Sequence, residues 1–570
     1  MRKIKDIKAY QKVIVNAGYN SFAHYFLKFA LPLLIAAGLT PFIFRILFPN
    51  VRQDIGYVII FLTAVIVFVY PFAIASRKKT SVNENLHLFI TFAGTISTLQ
   101  ISRALLFKKI AEKDIFGEIS NLSKKIRYLS KKWNLGFAIT CRKVSQITPS
   151  KIFADFLDRF AVMMDFGENL DTFLLDEQTQ IMNEYSTQYN KSLELIRTMQ
   201  EIFLSLSIAL AFGFTIALFL PLIMEIDIET LLTIFMISII GLDVIMLLII
   251  VSVIPKDKIT HNLRYKSKET RLIRKLTIPI TLLCLIIMAT TIKLGITPLI
   301  LDIALGLSPL FVIGYLARRE EELVNRRDAQ FPVFIRTLGS TIEIKNRAIL
   351  TAFYSLRVHD FGLLNDMMVN LYRRLRLGCD KFQAWMYFAG ESGSNLISHF
   401  SSIFSETFYL GGNAEKIGEI ISKNFLKLLS LRKLRGQVVS AFRSSIYGSL
   451  IGFAAVTYIA VFITQSLSDL FSSTTGTVAD KDSIMNGMLT GILPLAISID
   501  FTMVSAYIGI IILLHSLFGS ILINVVEGSH PYTLIINFLI MLWIGVIICI
   551  FAPDILSNVM PDVTPITLGN

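Results

Sequence analysis

Cysteine and histidine are scarce in this chain, which has four cysteines and seven histidines in 570 residues. Neither residue type shows the spacing of a metal site, and nothing in the cysteine pattern indicates disulfides. The phosphate-binding loop of nucleotide hydrolases and the zinc-protease motif are also absent. Residues 390–394 are rich in glycine and serine but lack the lysine and preceding strand of a phosphate loop, so they are predicted to form a turn. We therefore predict a protein that is not an enzyme and carries no cofactor.

Charged residues are also few, at 17% of the chain, whereas 54% of the residues are hydrophobic and the mean hydropathy is +0.62. Such a chain is too apolar for a soluble protein of this length. A helix needs about 20 mostly apolar residues to cross the hydrocarbon core of a membrane. About nine runs meet this criterion: residues 26–48, 56–75, 202–224, 230–254, 276–292, 298–317, 443–467, 488–526 and 532–552. The run 488–526 is predicted to be one long helix rather than two segments broken near His515.

Two polar stretches interrupt these apolar runs, and they resemble each other at an offset of about 244 residues. We call residues 76–201 the first module and residues 318–442 the second module. Phe89-Ile90 matches Phe334-Ile335, Phe116-Gly117 matches Phe361-Gly362, and the flanking apolar runs follow the same offset. A period of this length indicates duplication of a whole unit made of membrane helices and a polar module.

Lysine and arginine are concentrated in four polar segments, which hold 50 of the 55 basic residues: 1–25, 76–201, 255–275 and 318–443. The connections on the opposite side are short and acidic, as in 225–229. The positive-inside rule therefore places the four basic segments in the cytoplasm and the multi-pass chain in the cytoplasmic membrane. Orientation and anionic lipid account for the net charge of +13, so no nucleic-acid partner is predicted. No cleaved signal peptide is expected, because a polar stretch separates the basic start from the first apolar run.

The predicted fold class is an all-α polytopic membrane protein with about nine transmembrane helices and two duplicated cytosolic helical bundles. Its parts follow one another along the chain as an alternation of membrane helices and polar segments. They are a cytosolic N-terminal segment (1–25), transmembrane helices 1–2 (26–75), the first module (76–201), helices 3–4 (202–254), a basic linker (255–275), helices 5–6 (276–317), the second module (318–442), helices 7–9 (443–552) and an extracytoplasmic tail (553–570).

Each module is predicted to be a bundle of amphipathic helices, because apolar residues recur at helical spacing. The repeating faces are Phe153, Phe156, Leu157 and Phe160 in the first module, and Phe331, Phe334, Ile335, Leu338 and Ile342 in the second. Ser150 is placed to cap the helix of the first module. Pro332 is expected in the first turn of the second helix, where a proline is tolerated.

Glycines mark the predicted ends of helices in both modules. Gly136 and Gly378 each follow a basic helix, as is typical of a glycine after a helix C-terminus. Beyond Gly167 and the pair Gly411-Gly412, helical patterns lead without interruption into apolar runs. At 1.5 Å per residue such helices would extend several tens of ångströms. They are therefore predicted to form rigid connections between the modules and the membrane.

Three acidic residues fall within apolar runs: Asp243, Asp302 and Asp500. A charge at mid-membrane is costly and is a candidate for function, although Asp302 is expected near an outer end, where water can reach it. Ion coupling in a secondary transporter is one interpretation, and catalysis by Asp243 and Asp500 in an intramembrane aspartyl protease is another. The protease motif Gly-x-Gly-Asp is incomplete at Asp243, and large polar modules are unusual in carriers. We prefer a structural interpretation, in which a hydrogen-bonded aspartate holds helices together, with Ser238 or Ser498 nearby.

The order of these motifs resembles the membrane platform family of type IV filament machines. That family repeats an amphipathic helix, a glycine helix stop, and a later Gly-[Gly/Glu]-x-[Leu/Ala] before a long helix that enters the membrane. The corresponding segments are Phe89–Ile96, Asn134–Gly136 and Gly167–Leu170 in the first module, and Phe331–Ile342, Arg376–Gly378 and Gly411–Ala414 in the second. The chain is similar to the F protein of type II secretion and the C protein of tight-adherence pili. It is most similar to the J proteins of archaella, because its length and nine predicted spans fit that branch.

The resemblance implies a mechanical role. Platforms of this family lie in the cytoplasmic membrane above a hexameric secretion-type ATPase, whose motion they pass to the membrane helices. Those helices help to load filament subunits, archaellins or pilins, from the lipid bilayer into the growing fibre. A homodimer is the oligomeric state proposed for the family. If the ATPase docks electrostatically, the contact residues predicted here are Lys131, Lys132, Arg373, Arg374 and Arg376, with Glu168 and Asp171 as an acidic counterpart.

Overall fold

The computed structural model describes residues 82–99, 102–224, 227–294, 299–478 and 501–559, with a few isolated positions before residue 82. These described residues are predominantly α-helical and form no β-strand. The all-α part of the predicted fold class is therefore confirmed. The first two predicted transmembrane runs, the N-terminal segment and most of the tail lie outside the described residues.

The described part of the first module consists of five short helices followed by the start of a very long one. They are α1 (Leu86–Ser97), α2 (Arg103–Ala111), α3 (Glu118–Lys132), α4 (Phe137–Ile147), α5 (Lys151–Phe166) and α6 (Leu170–Ile223). Three apolar helices then lead to the second module: α7 (Ile228–Val253), α8 (Lys268–Leu294) and α9 (Leu299–Leu307).

The second module has its helices in the same order, and two further apolar helices follow it. The module consists of α10 (Phe311–Ile344), α11 (Ile349–Leu356), α12 (Asn365–Arg376), α13 (Lys381–Ser392), α14 (Asn395–Tyr409) and the start of α15 (Ala414–Val478). The last helices are α16 (Phe501–Glu527) and α17 (Leu534–Val559). A short 3₁₀ turn precedes α3 at Asp114–Phe116 and α12 at Gly362–Leu364.

The apolar faces predicted from the sequence form the cores of the modules. Every residue of both faces is fully buried. The ring of Phe89 contacts those of Phe153 and Phe156 edge-on at 5.3 and 5.2 Å, and the rings of Phe331 and Phe425 lie 4.9 Å apart. Burial of one such side chain stabilises the fold by about 1.5–3 kcal/mol. The cores are therefore the main stabilising contribution within each module.

One capping prediction is confirmed and one helix-start prediction is wrong. Ser150 Oγ accepts a hydrogen bond from the backbone N–H of Phe153 at 3.3 Å, as expected of an N-cap. Pro332, in contrast, lies deep inside α10 rather than in its first turn. The helix already begins at Phe311, because no stop signal separates the apolar run from the module. The buried phenylalanines on the same face hold the helix together around the proline.

Two helices continue from the modules into apolar sequence without a break, as predicted. Helix α6 has 54 residues and α15 has 65. At 1.5 Å per residue these lengths correspond to about 80 Å and about 100 Å. Each is therefore a single rod that begins in a polar module and runs on through an apolar segment.

Seven helical segments among the described residues are long and apolar enough to cross a membrane. They coincide with the seven predicted runs after residue 200, whereas 26–48 and 56–75 lie outside the described residues. The run 298–317 is not one straight helix, because a 3₁₀ turn containing Pro309 separates α9 from α10. Helix α16 passes through His515 without interruption, so the alternative of a break there is wrong. Residues 488–500 of that run lie outside the described part.

The two modules pack against each other along α6 and α15. The side-chain amide of Gln178 donates to Asn424 Oδ1 at 3.1 Å, and that of Asn424 donates to Thr91 Oγ1 at 2.8 Å. Farther along the same helices, Gln200 Nε2 donates to Ser445 Oγ at 2.5 Å. These bonds satisfy buried amides that would otherwise destabilise the interface. The two contacts between α6 and α15 join residues 246 and 245 positions apart in the chain.

Helices α10 and α15 cross so closely that only glycine fits at the contact. A Cβ atom at Gly339 would overlap the carbonyl oxygen of Ala414 and lie 3.3 Å from Gly418 Cα. Gly339→Ala is therefore expected to lower the free energy of unfolding by about 1–3 kcal/mol, because the helices must move apart. Thermal unfolding of the purified protein in detergent would measure this change.

A matched substitution in α15 should have the opposite effect on stability. A Cβ atom at Gly436 would meet no atom within 4 Å, and alanine is a better helix former than glycine by about 1 kcal/mol. Gly436→Ala is therefore expected to raise the melting temperature. Equal and small effects of both substitutions would contradict the close crossing at Gly339.

Candidate functional site

Three arginines lie along one face of α15, at the level where α7 and α16 end. They occur at i, i+3 and i+11, a spacing that keeps them on the same side of a helix. Their partners come from the linker after α7, from α10 and from the end of α16. We call this cluster the junction: Arg432, Arg435, Arg443, Asp257, Asp328 and Glu527.

Arg432 is the centre of the junction and binds two carboxylates. Its Nε and Nη2 atoms donate to the two carboxylate oxygens of Asp257 at 2.7 and 2.6 Å. Its Nη1 atom donates to Asp328 Oδ2 at 2.8 Å, and Asp328 is only 1% exposed. Ser394 donates its hydroxyl to the other oxygen of Asp328. One guanidinium thus connects α15 to the linker and to α10, which is the bidentate geometry that arginine favours.

Arg435 lies one turn farther along α15 and binds only backbone carbonyls. Its guanidinium donates to the oxygens of Val526 at 2.7 Å, Val525 at 3.3 Å and Pro255 at 3.0 Å. The two valines are in the last turn of α16, and Pro255 follows the end of α7. Carbonyls there have no partner within their helix and carry the negative end of the helix dipole. A buried cation at this position therefore ties α15 to the ends of two other helices.

Arg443 completes the junction on the side of the apolar segments. Its Nη2 atom donates to both carboxylate oxygens of Glu527 at 2.9 and 3.0 Å. Glu527 is the last residue of α16, and Gly528 follows it with a positive φ of +70°. A Cβ atom at Gly528 would approach Arg435 Nη2 to 2.8 Å. The turn after α16 therefore requires glycine both for its backbone conformation and for the approach of the arginine.

The charge of Arg432 keeps Asp257 ionised at neutral pH. Burial alone would raise the pKa of the Asp257 carboxyl, but the charge and hydrogen bonds of Arg432 outweigh it and hold that pKa below its usual value. A buried ion pair of this kind contributes little net stability when complete, yet the loss of one partner is strongly destabilising. Separating the helices that meet at the junction is therefore expected to cost a large amount of free energy.

The linker after α7 is itself fixed on the second module. The N–H of His261 donates to the carbonyl oxygen of Gly393 at 3.3 Å, and the N–H of Asn395 donates to that of Ile259 at 2.9 Å. Gly393 has a φ of +72° and separates α13 from α14. The turn predicted over 390–394 is therefore limited to 393–394, because 390–392 are still the end of α13, and the linker pairs with this turn.

Two buried histidines, one in each module, predict a loss of stability in acid. Burial lowers the pKa of His87 and of His399 to about 4, because the charged imidazolium is poorly solvated there. Between their usual value of about 6.5 and about 4, the unfolded chain binds protons that the folded chain does not. The free energy of unfolding is therefore fully retained above about pH 6.5 and should fall by about 1–3 kcal/mol per histidine as the pH approaches 4.

Thermal unfolding at pH 7.5 and pH 5 would measure this effect. The double variant His87→Gln, His399→Gln should lose less stability than the wild type over the same interval. A wild type whose melting temperature is unchanged between the two pH values would contradict the prediction.

The predicted docking residues lie in the modules, and most of them are exposed. Lys131 and Lys132 are at the exposed end of α3, and Arg373 and Arg376 are exposed at the end of α12. Arg374 instead pairs with Glu391 and covers the ring of Tyr387. In the acidic counterpart, Glu168 is exposed and Asp171 is half-buried in the first turn of α6. The structure thus leaves four of the five basic residues on the surface.

The motif glycines have different roles, and one predicted role is wrong. Gly378 follows the end of α12 with a φ of +77°, as predicted for a helix stop, and Gly167 follows the end of α5 in the same way with a φ of +72°. Gly136 has a φ of −55° and precedes α4, whereas Asn134 takes the left-handed conformation after α3. Asparagine tolerates that conformation better than most residues, so the stop comes two residues earlier than predicted. Gly411 has a φ of +104° after α14.

Gly412 lies at a contact between the two modules. A Cβ atom at Gly412 would lie 2.9 Å from the carbonyl oxygen of Thr407 and 3.1 Å from Thr98 Oγ1. Thr98 belongs to the first module and Thr407 to the second. The second glycine of the predicted pair therefore allows close packing rather than an unusual backbone angle.

Asp243 is paired with a residue that the sequence analysis did not assign to it. His515 Nδ1 lies 2.9 Å from Asp243 Oδ2, which joins α7 to α16. Asp243 is 0% and His515 4% exposed. The ring of Phe203 on α6 lies parallel to the imidazole, with 6.2 Å between the ring centres. This contact between helices is the kind that the structural interpretation predicts.

The other polar residues of the apolar runs contribute nothing to this pair. The hydroxyl of Ser238 donates to a backbone carbonyl of its own helix, so Ser238 is not the partner of Asp243. Asp302 is buried in α9 rather than open to water. Asp500 and Ser498 lie outside the described residues. Within the described ranges, no group of three His, Cys, Asp or Glu residues could hold a metal ion.

A recognisable signal for the junction was present in the sequence. Asp257 is the only acidic residue between 254 and 268, in an otherwise basic linker. Arg432, Arg435 and Arg443 share one helix face although the helix is about to enter an apolar run. An isolated acid opposite a stripe of arginines indicates a charge pair, but neither the partner nor the distance follows from the sequence.

These features define a membrane protein with several apolar helices, whose described residues are predominantly helical and whose polar modules continue into apolar helices. The chain belongs to the family of archaellum J proteins. It is 30% identical to the flagella accessory protein J of Methanocaldococcus jannaschii and 30% identical to that of Methanococcus voltae. Each alignment spans 552 residues and covers 95% of this chain and 97% of the relative. The resemblance that the sequence motifs indicated is thus confirmed.

A more distant relative covers only part of the chain. An uncharacterised protein of Methanocaldococcus jannaschii is 22% identical over 203 residues, which are 35% of this chain and 34% of that protein. No protein-family model and no solved structure matches the chain.

Proposed function

We propose that this protein is the membrane platform of an archaellum, which docks a cytosolic secretion-type ATPase and passes its motion to the insertion of filament subunits. Membership of the archaellum J family supports a role in archaellum assembly. The observation that carries the mechanism is the continuity of α15 from the second module through the junction into an apolar segment. A displacement of the module would move α15, and the junction would pass it to α7 and α16.

The orientation of the chain in the membrane follows from its basic residues. Both modules and the linker face the cytoplasm, because they carry most of the basic residues of the chain. The junction then lies at the cytoplasmic ends of α7, α15 and α16. An anionic membrane surface would attract the same basic segments, which agrees with lipid as a partner.

The proposal also includes the duplication of the modules. The helices follow the same order in both modules, and the 3₁₀ turn recurs at the same place. Gln178 and Asn424 bond to each other although they are 246 residues apart, and Gln200 and Ser445 do so at 245. Both spacings are within two residues of the 244-residue offset of the repeat, so nearly equivalent positions of the two units meet, as expected close to a two-fold axis. Two copies of one unit packed in this way explain the repeat in the sequence.

The docking surface for the ATPase is proposed at the ends of α3 and α12. Lys131 and Lys132 are followed by Trp133, which is 66% exposed, and Arg373 and Arg376 are followed by Leu377, which is 81% exposed. A large apolar side chain beside exposed cations is a combination typical of protein interfaces, in which the apolar group is buried and the charges surround it. The same combination at the same place in both modules supports its use for docking.

Charge reversal tests this docking surface. The variant with Lys131, Lys132, Arg373 and Arg376 replaced by glutamate should lose co-purification of the ATPase from detergent-solubilised membranes, because like charges would now meet at the interface. Mass spectrometry of the purified complex measures the loss. Wild-type protein from the same cells should retain both the ATPase and filament subunits.

Lys124 and Lys125 provide the matched control, because they are exposed on the same helix α3 but away from its end. Lys124→Glu with Lys125→Glu should leave ATPase recovery unchanged. Equal recovery from the fourfold variant and the wild type would remove the proposed surface. Failure to recover any ATPase or filament subunit with folded wild-type protein would instead contradict the platform function.

A further inference from the structure

A cavity of about 170 Å³ lies inside the junction, beside the face of α15 that carries the three arginines. Its lining includes Arg432, Arg435 and Arg443 together with the carboxylates of Asp257 and Glu527. Pockets that hold whole small molecules are commonly about 300–1,000 Å³. This cavity is smaller, so it suits a single charged group rather than a nucleotide. Three arginines against two carboxylates leave its lining positive, which favours an anion.

Arg443 has hydrogen-bonding capacity that the described protein does not use. It contacts Glu527 through Nη2, which donates to both carboxylate oxygens at 2.9 and 3.0 Å. Arg432, in contrast, uses both Nε and Nη2 to hold the two oxygens of Asp257. The Nε atom of Arg443 is buried without a hydrogen-bond partner, and its Nη1 atom makes no hydrogen bond with a described residue. A buried charged donor left unpaired is unfavourable, so a further acceptor is expected at this arginine.

The depth of Arg443 along α15 indicates where that acceptor comes from. Arg443 is the first residue of the apolar run 443–467. The headgroup layer of a lipid bilayer adds about 5–8 Å to each side of the hydrocarbon core. Ser440 also lines the cavity and precedes Arg443 by about one helical turn of 5.4 Å. These two residues therefore lie at the depth of lipid headgroups, whereas Arg432 lies about 16 Å farther along the helix, within the module.

Two further arginines mark the same boundary on α10. Arg318 and Arg319 directly follow the apolar run 298–317, and both are exposed. Neither forms an ion pair with a described residue. Basic residues that lie next to a membrane helix are attracted to anionic lipid, and basic pockets between membrane helices bind lipid headgroups. The junction therefore meets the membrane at a level where negatively charged headgroups are expected.

We propose that this cavity binds the phosphate group of an anionic membrane lipid. The phosphate accepts hydrogen bonds from the Nε atom of Arg443 and from the hydroxyl of Ser440, and the acyl chains extend along the apolar part of α15. Arginine is well suited to this role, because its hydrogen bonds to phosphate are assisted by charge. The inference goes beyond the platform function and does not depend on it, since it needs only that α15 enters a membrane. A lipid bound here connects the junction to the membrane surface.

Native mass spectrometry of the full chain in detergent tests the site, with phosphatidylglycerol as the anionic lipid. The wild type should retain one such lipid. Arg443→Gln should lower the affinity about tenfold or more, because a charged donor is lost. Ser440→Asp should also lower it, because the exposed serine becomes a negative charge beside the phosphate. Arg319→Gln is the matched control, because Arg319 is exposed at the same boundary but does not line the cavity. It should leave the affinity nearly unchanged.

The opposite change is expected from Glu527→Gln. The carboxylate of Glu527 competes with the phosphate for the guanidinium of Arg443, so its neutral replacement should raise the affinity for phosphatidylglycerol several-fold. A gain of affinity cannot result from misfolding. This variant therefore keeps the test valid even if Arg443→Gln lowers the stability of the fold. An affinity that falls in Glu527→Gln would overturn the proposal.

Inorganic phosphate distinguishes a lipid from a free ion as the source of the group. Added alone, it should not displace phosphatidylglycerol, because the free ion has no acyl chains to hold it at the membrane. Binding of inorganic phosphate that depends on Arg443, without such dependence for the lipid, would overturn the lipid as ligand. Equal losses of affinity in Arg319→Gln and Arg443→Gln would indicate general attraction and would overturn the site. Unchanged affinity in Arg443→Gln, as expected if another part of this chain fills the cavity, would also overturn it.

Discussion

A chain in which methionine replaces Arg432 is expected to unfold with a free energy about 3–5 kcal/mol lower than that of the wild type. The arginine makes two hydrogen bonds to Asp257 and one to Asp328. Methionine fills a similar volume but leaves two carboxylates without their cation in a buried environment. Since stabilities of whole domains are commonly 5–15 kcal/mol, the loss would remove a large fraction of the total. Thermal unfolding in detergent, followed by size-exclusion chromatography, would measure it.

The partners of Arg432 provide the internal test. Adding Asp257→Asn and Asp328→Asn to Arg432→Met removes both unpaired charges, so this triple variant should recover a large part of the lost stability. Arg326→Met is the matched control, because Arg326 pairs with Glu322 at 2.6 Å on the same module but both side chains are more than half exposed. Its effect should stay below about 1 kcal/mol. A similar small effect at Arg432 would show that the junction does not hold the helices together.

Replacement of His515 by leucine is the second large expected effect, with a loss of about 3 kcal/mol. The substitution leaves Asp243 fully buried between apolar helices with no hydrogen-bond partner. Changing Asp243 to leucine in the same chain should restore much of the stability, because no polar group then remains unpaired. Thr233→Val removes a neutral 3.3 Å hydrogen bond to Tyr507 between the same two helices. It should cost only about 1 kcal/mol.

The variant Asp243→Asn distinguishes a structural role from ion coupling. Asparagine keeps the shape and the hydrogen bond to His515 but cannot carry a charge. If the pair only holds α7 to α16, the variant should fold and cells should assemble filaments. A folded variant that fails to assemble them would contradict the structural interpretation, and it would favour a role in which Asp243 binds a proton or another cation. Stability and filament number are therefore measured on the same strain.

The local pattern of the sequence predicted the helices well because helix formation depends on near neighbours. The apolar faces around Phe156 and Phe334, the cap at Ser150 and the long helix after Gly167 were all correct. The exceptions are also local. Pro332 looked like a helix start because a first-turn proline is common, but the preceding apolar helix runs straight through it. The helix stop assigned to glycine after α3 is made by asparagine, which also accepts a left-handed backbone.

The contacts of the candidate site were beyond the reach of the sequence because they join distant residues. Arg432 and Asp257 are 175 residues apart, and His515 and Asp243 are 272 apart. Periodicity shows which face of a helix is polar, but not which distant element covers it. The exposure of single basic residues could not be predicted for the same reason. Arg374 looks like its neighbours Arg373 and Arg376 in the sequence, but in the structure it pairs with Glu391. One sequence signal did indicate the junction, namely the single acidic residue Asp257 in a basic linker.

The contact of Gln178 with Asn424 joins the two modules of one chain in the way that a dimer interface joins two identical subunits. Two separate subunits related by a two-fold axis would have to repeat every residue, whereas two fused copies can diverge. At the repeat offset of 244, the positions equivalent to Arg432 and Arg443 are Gln188 and Met199, whereas the position equivalent to Arg435 is Lys191, so only one of the three positions is basic in both halves. The fusion therefore allows symmetry to be broken. The contacts of Arg432 and Arg443 therefore have no arginine counterpart in the first half, so the two halves hold their neighbouring helices differently.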